Sequence, residues 1–166
     1  RHSSSAASDV YKRQDLETLL AGCHLSFPHD PFPFQFDGMA FLLPRFGGIL
    51  ADEMGLGKSM QAISSLRLLI HSGQARNVLI ICPKGLVSNW VRELSVWAPE
   101  LVVGVIAGDP ERRQWQWSLQ DVPVKVAHYE AVIRDRSLLD EMRSEFDLVI
   151  LDLSLIHISE PTRQSP

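Results

Sequence analysis

The chain has 166 residues, 45% of them hydrophobic, and a formal net charge of −4, which is enough apolar material to bury the core of one domain. The acidic balance gives no global support for a nucleic-acid-binding surface, so any such contact must be local. Cys23 and Cys82 lie far apart with no CxxC pair, which argues against a disulfide framework or a zinc site, and no apolar run is long enough to span a bilayer, so no membrane partner is expected.

Both ends resemble translated adaptor sequence from transposon-based libraries: Ser4 to Gln14 reads SSAASDVYKRQ and Leu153 to Arg163 reads LSLIHISEPTR. Residues 1–14 and 153–166 are therefore set aside as artefactual tails, and 15–152 is read as part of one domain from a protein that continued on both sides. Without the tails the balance is more acidic still.

In chain order, Asp15 to Gly22 suits a short helix, and the Pro-rich stretch Phe27 to Pro33 an irregular lead-in. Gln35 to Leu43 carries Phe36, Met39, Ala40 and Leu43 at helical spacing, and Gly47-Gly48 ends it. Ile49-Leu50-Ala51 is a short buried-strand candidate. Lys58 to His71 is predicted helical, with Met60, Ile63, Leu66 and Ile70 on one face. Asn77 to Cys82 is a continuous apolar run, as in a strand covered on both faces. Leu86 to Trp97 is a helix with Leu86, Trp90, Leu94 and Trp97 as its stripe. Leu101 to Ala107 and Val122 to Ala127 are strands, Ser137 to Ser144 a short helix, and Asp147 to Leu151 a last strand. Strands alternating with helices predict an α/β fold, a parallel sheet with helices on both faces.

The sharpest chemical signal is ILADEMGLGKS, Ile49 to Ser59. A hydrophobic strand runs into a glycine turn, and Lys-Ser opens a helix. Gly55 and Gly57 permit backbone conformations closed to other residues and put no Cβ between loop and ligand. Successive N–H groups then face the phosphates, aided by the helix N-terminus. Lys58 is placed for the β- and γ-phosphates and the Ser59 hydroxyl for Mg²⁺. The general phosphate-loop pattern wants Gly five residues before Gly57, and that position is Asp52. At the other end, Phe146 to Asp152 is an apolar strand closing on a carboxylate; at the carboxyl end of a parallel strand, Asp152 is placed to hold Mg²⁺, directly or through water.

DEMGLGKS resembles the first motif of the Swi/Snf-type ATPases, the chromatin-remodelling branch of the superfamily-two helicases, where Asp52 fits although it fails the general pattern. Pro33-Phe34-Gln35 followed by Gly38 resembles the family's adenine-recognition segment. Val78 to Leu94 resembles its motif Ia, Val126 to Asp135 the following Ser-Tyr-Glu segment with His128 in place of Ser, and Phe146 to Asp152 the run into its Asp-Glu-Ala-His/Gln box. The resemblance implies a RecA-like, three-layer P-loop lobe, truncated after the Walker B strand. It implies ATP bound by Gln35 and by Asp52, Glu53, Met54, Gly55, Leu56, Gly57, Lys58 and Ser59. It further implies Mg²⁺ at Ser59 and Asp152, catalytic roles for Lys58 and Asp152, and nucleic-acid contact at Pro83 and Lys84. The implied parent is a DNA-dependent ATPase that translocates on duplex DNA. It would be nuclear in a eukaryote or cytoplasmic and nucleoid-associated in a bacterium, with the bacterial setting favoured.

The sequence departs from the family where Leu153 follows Asp152, since the family has a water-activating Glu there, and the second RecA-like lobe with its arginine fingers is missing from the chain. The expectation for the chain as given is nucleotide binding without turnover. The rival readings are a P-loop enzyme of another class, such as a nucleotide kinase or transport ATPase, and a nucleotide-binding fragment without motor function. Trp90 and Trp97 read as core, Trp115 and Trp117 as a half-exposed loop or helix, and Cys82 as a structural thiol.

Overall fold

The computed structural model describes Thr18, Gly22, Gln35, residues 57–142 and residues 146–154. The expected strand Ile49 to Ala51, the loop residues Asp52, Glu53, Met54, Gly55 and Leu56, the Pro-rich lead-in and most of both tails lie outside the described residues.

The elements in chain order are helix α1 (Lys58–His71), strand β1 (Val78–Cys82), a 3₁₀ turn (Lys84–Leu86), α2 (Val87–Trp97), β2 (Val103–Ile106), α3 (Pro110–Ser118), β3 (Val124–His128), α4 (Tyr129–Arg134), α5 (Arg136–Glu141) and β4 (Leu148–Leu151). The four described strands form one sheet in the order β2-β3-β1-β4, with every pairing parallel. The expected α/β class and parallel sheet are thus observed. The bounds of α1 coincide with those read from the sequence. The turn at Lys84 shortens the predicted Leu86 helix by one residue.

Side chains alternate across the sheet, and each face receives its own helices. Val78, Ile80 and Cys82 point into a cluster with Ile63 and Leu66 of α1 and Trp90 and Leu94 of α2. Leu79 and Ile81 point the other way, onto Trp117 of α3 and Ala127, with Tyr129, Val132, Leu138 and Leu139 from α4 and α5 closing that side. This is the three-layer arrangement. On β4 the alternation is visible: Leu148 and Ile150 pack on the first cluster, whereas Val149 and Leu151 are 47% and 56% exposed. The last apolar run is therefore covered on one face only.

Two helices had no counterpart in the sequence reading. Helix α3 begins at Asp109, whose carboxylate accepts the Arg112 N–H at 2.9 Å, with Pro110 in the first turn. Residues two apart on a helix point about 200° apart. Trp115 is accordingly 61% exposed and Trp117 buried, so the expected half-exposed pair splits. Helix α4 starts at His128, whose Nδ1 accepts the Ala131 N–H at 3.3 Å; the imidazole does the capping that a Ser would do.

Three polar arrangements tie neighbouring elements together. Arg113 donates Nε and Nη2 to the two carboxylate oxygens of Asp135 at 2.8 Å each, and Nη1 to the Gly108 carbonyl; Trp117 donates its indole N–H to the same carboxylate at 2.8 Å. Arg67 and His71 of α1 both meet Glu100, in the connection between α2 and β2. Lys125 lies buried in β3 and donates to the carbonyls of Leu119 and Val122 at 2.7 and 3.1 Å; burial lowers its pKa.

Hydrogen bonds from Arg113, then from Trp117, hold the Asp135 carboxyl below its ordinary range against the opposing effect of burial. Its folded pKa is depressed, so its contribution to stability is present above the ordinary carboxylate range and is lost as pH falls through the folded value. Asp135→Ala should cost about 3–5 kcal/mol, because it leaves Arg113 buried and unpaired. Arg113→Met combined with Asp135→Leu should cost much less. Urea denaturation of the three proteins at neutral pH checks this; equal losses for the single and double variants would contradict it.

Candidate functional site

Helix α1 owes its start to Gly57, which has φ 75° and ψ 37°, the left-handed region that glycine enters at little cost. Its carbonyl accepts from the Gln61 N–H at 3.0 Å, the first helical hydrogen bond. Among the described residues no side chain caps this end, and no acidic residue lies in the first turn. The N–H groups of a helix's first turn and the positive end of its dipole suit an anion. Lys58 and Ser59 are the first two residues of the helix, both half-buried.

Gln35 is buried and helical, and its amide nitrogen lies so close to Gly57 that an added Cβ there would stand 2.5 Å from it. The structure thus brings together the residue expected to read adenine and the end of the phosphate loop. Gly57 is required twice, for its backbone angles and for the space that Gln35 occupies.

Asp152 follows the last residue of β4 and is still tied to the sheet, its N–H donating to the Ile81 carbonyl at 2.8 Å. One carboxylate oxygen accepts the Trp90 indole N–H at 2.8 Å and the other the Ser154 backbone N–H at 2.9 Å. The Tyr129 hydroxyl donates to the Asp152 carbonyl at 2.9 Å. Burial opposes the charge on this carboxyl, but the bonds from Ser154 and Trp90, with the nearby positive charge of Lys58, hold its pKa below the ordinary value. Lys58 and Asp152 therefore share one electrostatic site. Around them, burial first and the Asp152 charge second push the Cys82 thiol up to about 11, so it is neutral. The Tyr129 hydroxyl is raised by burial, Asp152 and Cys82.

These residues fit a phosphate-bound Mg²⁺. Among the described residues no group of three or more His, Cys, Asp or Glu is gathered for a metal. Mg²⁺ held with a nucleotide needs only one or two protein oxygens besides phosphate and water, and a carboxylate held below its ordinary pKa with a lysine's charge nearby supplies that chemistry. Pro83 and Lys84 sit just past Cys82, at the same carboxyl end of the sheet. Pro83 accepts the Leu86 N–H, closing the turn, and Lys84 is exposed. Cys82 pairs in register with His128, so β1, β3 and β4 deliver Lys84, Tyr129 and Asp152 to one rim. Trp90 and Tyr129 were not singled out for the site. A buried indole N–H demands a partner, but nothing in the sequence says that it lies 62 residues away.

A parallel three-layer sheet with this rim defines the RecA-like class of P-loop nucleotide-binding lobes. The SNF2-related domain family model matches residues 14–153, and the chain belongs to that family. It is 36% identical over 126 residues to the ISWI chromatin-remodeling complex ATPase ISW1 of Saccharomyces cerevisiae, covering 70% of this chain and 11% of that protein. It is 35% identical over 132 residues to the DNA excision repair protein ERCC-6-like of Homo sapiens, covering 73% and 11%. Its fold matches the Sulfolobus solfataricus SWI2/SNF2 ATPase core in complex with dsDNA with a TM-score of 0.67 at 28% identity, covering 76% of this chain and 26% of that one. The chain thus spans only a small part of the relatives it matches.

Gly57→Ala should lower stability by about 1–2 kcal/mol from the left-handed backbone alone, with a further loss from the clash with Gln35. Adding Gln35→Ala should remove the second part, so the double variant loses less than the two single losses combined. Denaturant titration of the four proteins reads this, and strict additivity would show that Gln35 does not pack on Gly57.

Proposed function

We propose that residues 15–152 form the ATP-binding part of a DNA-dependent ATPase that translocates on duplex DNA, and that the 1–14 and 153–166 tails are foreign to it. The observation that carries the reading is the position of Asp152 at the end of β4, near enough to Lys58 at the start of α1 for the lysine's charge to help lower its pKa. In this reading Lys58 contacts the β- and γ-phosphates, Ser59 and Asp152 hold Mg²⁺, and Gln35 reads the adenine through an amide that both donates and accepts. Bound Mg²⁺ would offset the phosphate charge. In the same reading Asp52, Glu53, Met54, Gly55 and Leu56, which lie outside the described residues, also bind the ATP. Membership of the SNF2-related family supports the ATPase reading over a kinase or transporter.

The Sulfolobus ATPase core was solved in complex with dsDNA. For this chain the contact is proposed at Pro83 and Lys84, with a second RecA-like lobe in the parent closing over the nucleotide. Pro83 fixes the turn, and Lys84 adds an exposed point charge at the carboxyl ends of the strands, where ligands of open α/β sheets gather. The parent works where its DNA is. The relatives named above, from yeast, human and Sulfolobus, lend no support to the bacterial setting.

Lys58→Ala should reduce the affinity for a fluorescent ATP analogue in Mg²⁺ at least about tenfold, since a charge-assisted phosphate contact contributes roughly 1.5–3 kcal/mol. Equal affinities would remove the phosphate-loop assignment. In the full-length parent, Lys84→Ala should weaken duplex DNA binding about equally across sequences and reduce the magnitude of the salt slope by roughly one. An unchanged slope would place the DNA elsewhere.

A further inference from the structure

We propose that Trp90 and Tyr129 are positioning residues for Asp152: the indole N–H sets the orientation of the carboxylate and the phenol fixes the backbone that carries it, so that the carboxylate is held ready for Mg²⁺. The proposal rests on the nucleotide-site reading above.

Four hydrogen bonds converge on Asp152. Two come from backbone N–H groups: its own N–H to the Ile81 carbonyl, and the Ser154 N–H, in the tail proposed to be foreign, to its carboxylate. The other two come from side chains on separate elements, Trp90 in α2 at 2.8 Å and Tyr129 at the start of α4 at 2.9 Å. They reach the residue from opposite faces of the sheet, because Trp90 packs in the α1–α2 cluster and Tyr129 against the α3–α5 cluster.

Trp90 is 4% exposed and belongs to the same buried cluster as Val78, Ile80 and Leu94, and the close packing of such a core disfavours other rotamers. Its N–H therefore points where the backbone of α2 puts it, and the carboxylate must orient to meet it. Tyr129 has similar support one step removed. The helix it opens ends at Asp135, the residue clamped by Arg113 and Trp117 of α3.

Both donors are neutral. A carboxylate oxygen offers two acceptor positions, so one indole bond leaves the charge and the remaining lone pairs for a cation. This is the outer-shell arrangement that fixes metal-ligating carboxylates, whose loss costs about 10–100-fold in metal affinity. A packing role alone would need neither N–H nor O–H.

The test uses the 166-residue chain and a fluorescent ATP analogue, titrated in Mg²⁺ and again in EDTA; the readout is the ratio of the two affinities. Trp90→Phe keeps an aromatic ring in the core and removes the N–H, and Tyr129→Phe removes only the hydroxyl. Trp90→Phe should lower the Mg²⁺-to-EDTA ratio by about tenfold or more, and Tyr129→Phe by a smaller factor. Asp152→Asn should lower the ratio by itself, and adding Trp90→Phe to it should lower it no further. Should Trp90→Phe fail to fold by far-ultraviolet circular dichroism, Tyr129→Phe decides alone. A ratio that stays at the wild-type value in the folded variants overturns the positioning role while leaving the phosphate site intact. Lack of nucleotide binding by the unaltered chain overturns both.

Discussion

Strand β1 is enclosed on every side. Its two faces are covered by separate helical layers, its two edges are hydrogen-bonded to β3 and β4, and all five residues are buried. β3 is likewise paired on both edges and reaches both clusters, but its last residue is only partly buried, whereas every residue of β1 is buried. The run Val-Leu-Ile-Ile-Cys is what such an environment permits, since an unpaired polar side chain there would carry its full desolvation cost. Parallel pairing on both edges also aligns the carboxyl ends of β3, β1 and β4 in register. The functional rim is a consequence of that alignment: Lys84, Tyr129 and Asp152 are neighbours because three strands end together, although they are distant in sequence.

The helices that cover β1 are fixed by polar clamps as well as by apolar contact. Arg67 of α1 lies against Glu100 beyond α2, and Arg113 of α3 against Asp135 at the end of α4. Such pairs contribute little net stability compared with apolar replacements of the same shape, yet breaking one partner is expensive. Their effect is on geometry. Each guanidinium accepts only a narrow range of carboxylate positions, which limits sliding of the helix that carries it. The α1 clamp acts on the helix whose first turn holds Lys58 and Ser59, and the α3 clamp on the helix that starts with Tyr129. Layer packing and site geometry are thus coupled through named side chains.

The parallel sheet and the long helices were legible because their signals are local. Helix α1 has a glycine before it, four apolar residues on one stripe and Gly73 just beyond it, and its bounds could be read directly. The apolar runs at β1 and β4 identified those strands for the same reason. Helix α3 is polar along most of its length, so no stripe announced it, although Asp109-Pro110 is a helix-start signal that could have been used. Helix α4 has six residues, too few for periodicity to register. The site was legible in part. Lys58, Ser59 and Asp152 followed from motif and strand-end logic, and Gln35 from resemblance. The Trp90–Asp152 bond and the seat of Gln35 against Gly57 are long-range contacts that only the folded chain creates.

The choice of donors around Asp152 follows from electrostatics. A carboxylate meant to bind a cation must stay ionised in a half-buried place, and burial alone would raise its pKa and favour the neutral acid. Pairing it with a buried arginine, as at Asp135, would keep it ionised but would fill the fork of lone pairs and cancel the charge. Neutral N–H donors, here from Trp90 and Ser154, avoid both outcomes: they lower the energy of the anion without supplying a competing cation. Lys58 is the nearby full charge, and in the proposed site it turns toward phosphates rather than remaining a partner for Asp152. The surroundings agree with this division. Cys82 is held as a neutral thiol, so it adds no anion beside Asp152, and the proposed site uses the opposite charges of Lys58 and Asp152. That combination suits a ligand made of phosphate and divalent metal, with Lys58 facing the anion and Asp152 facing the cation.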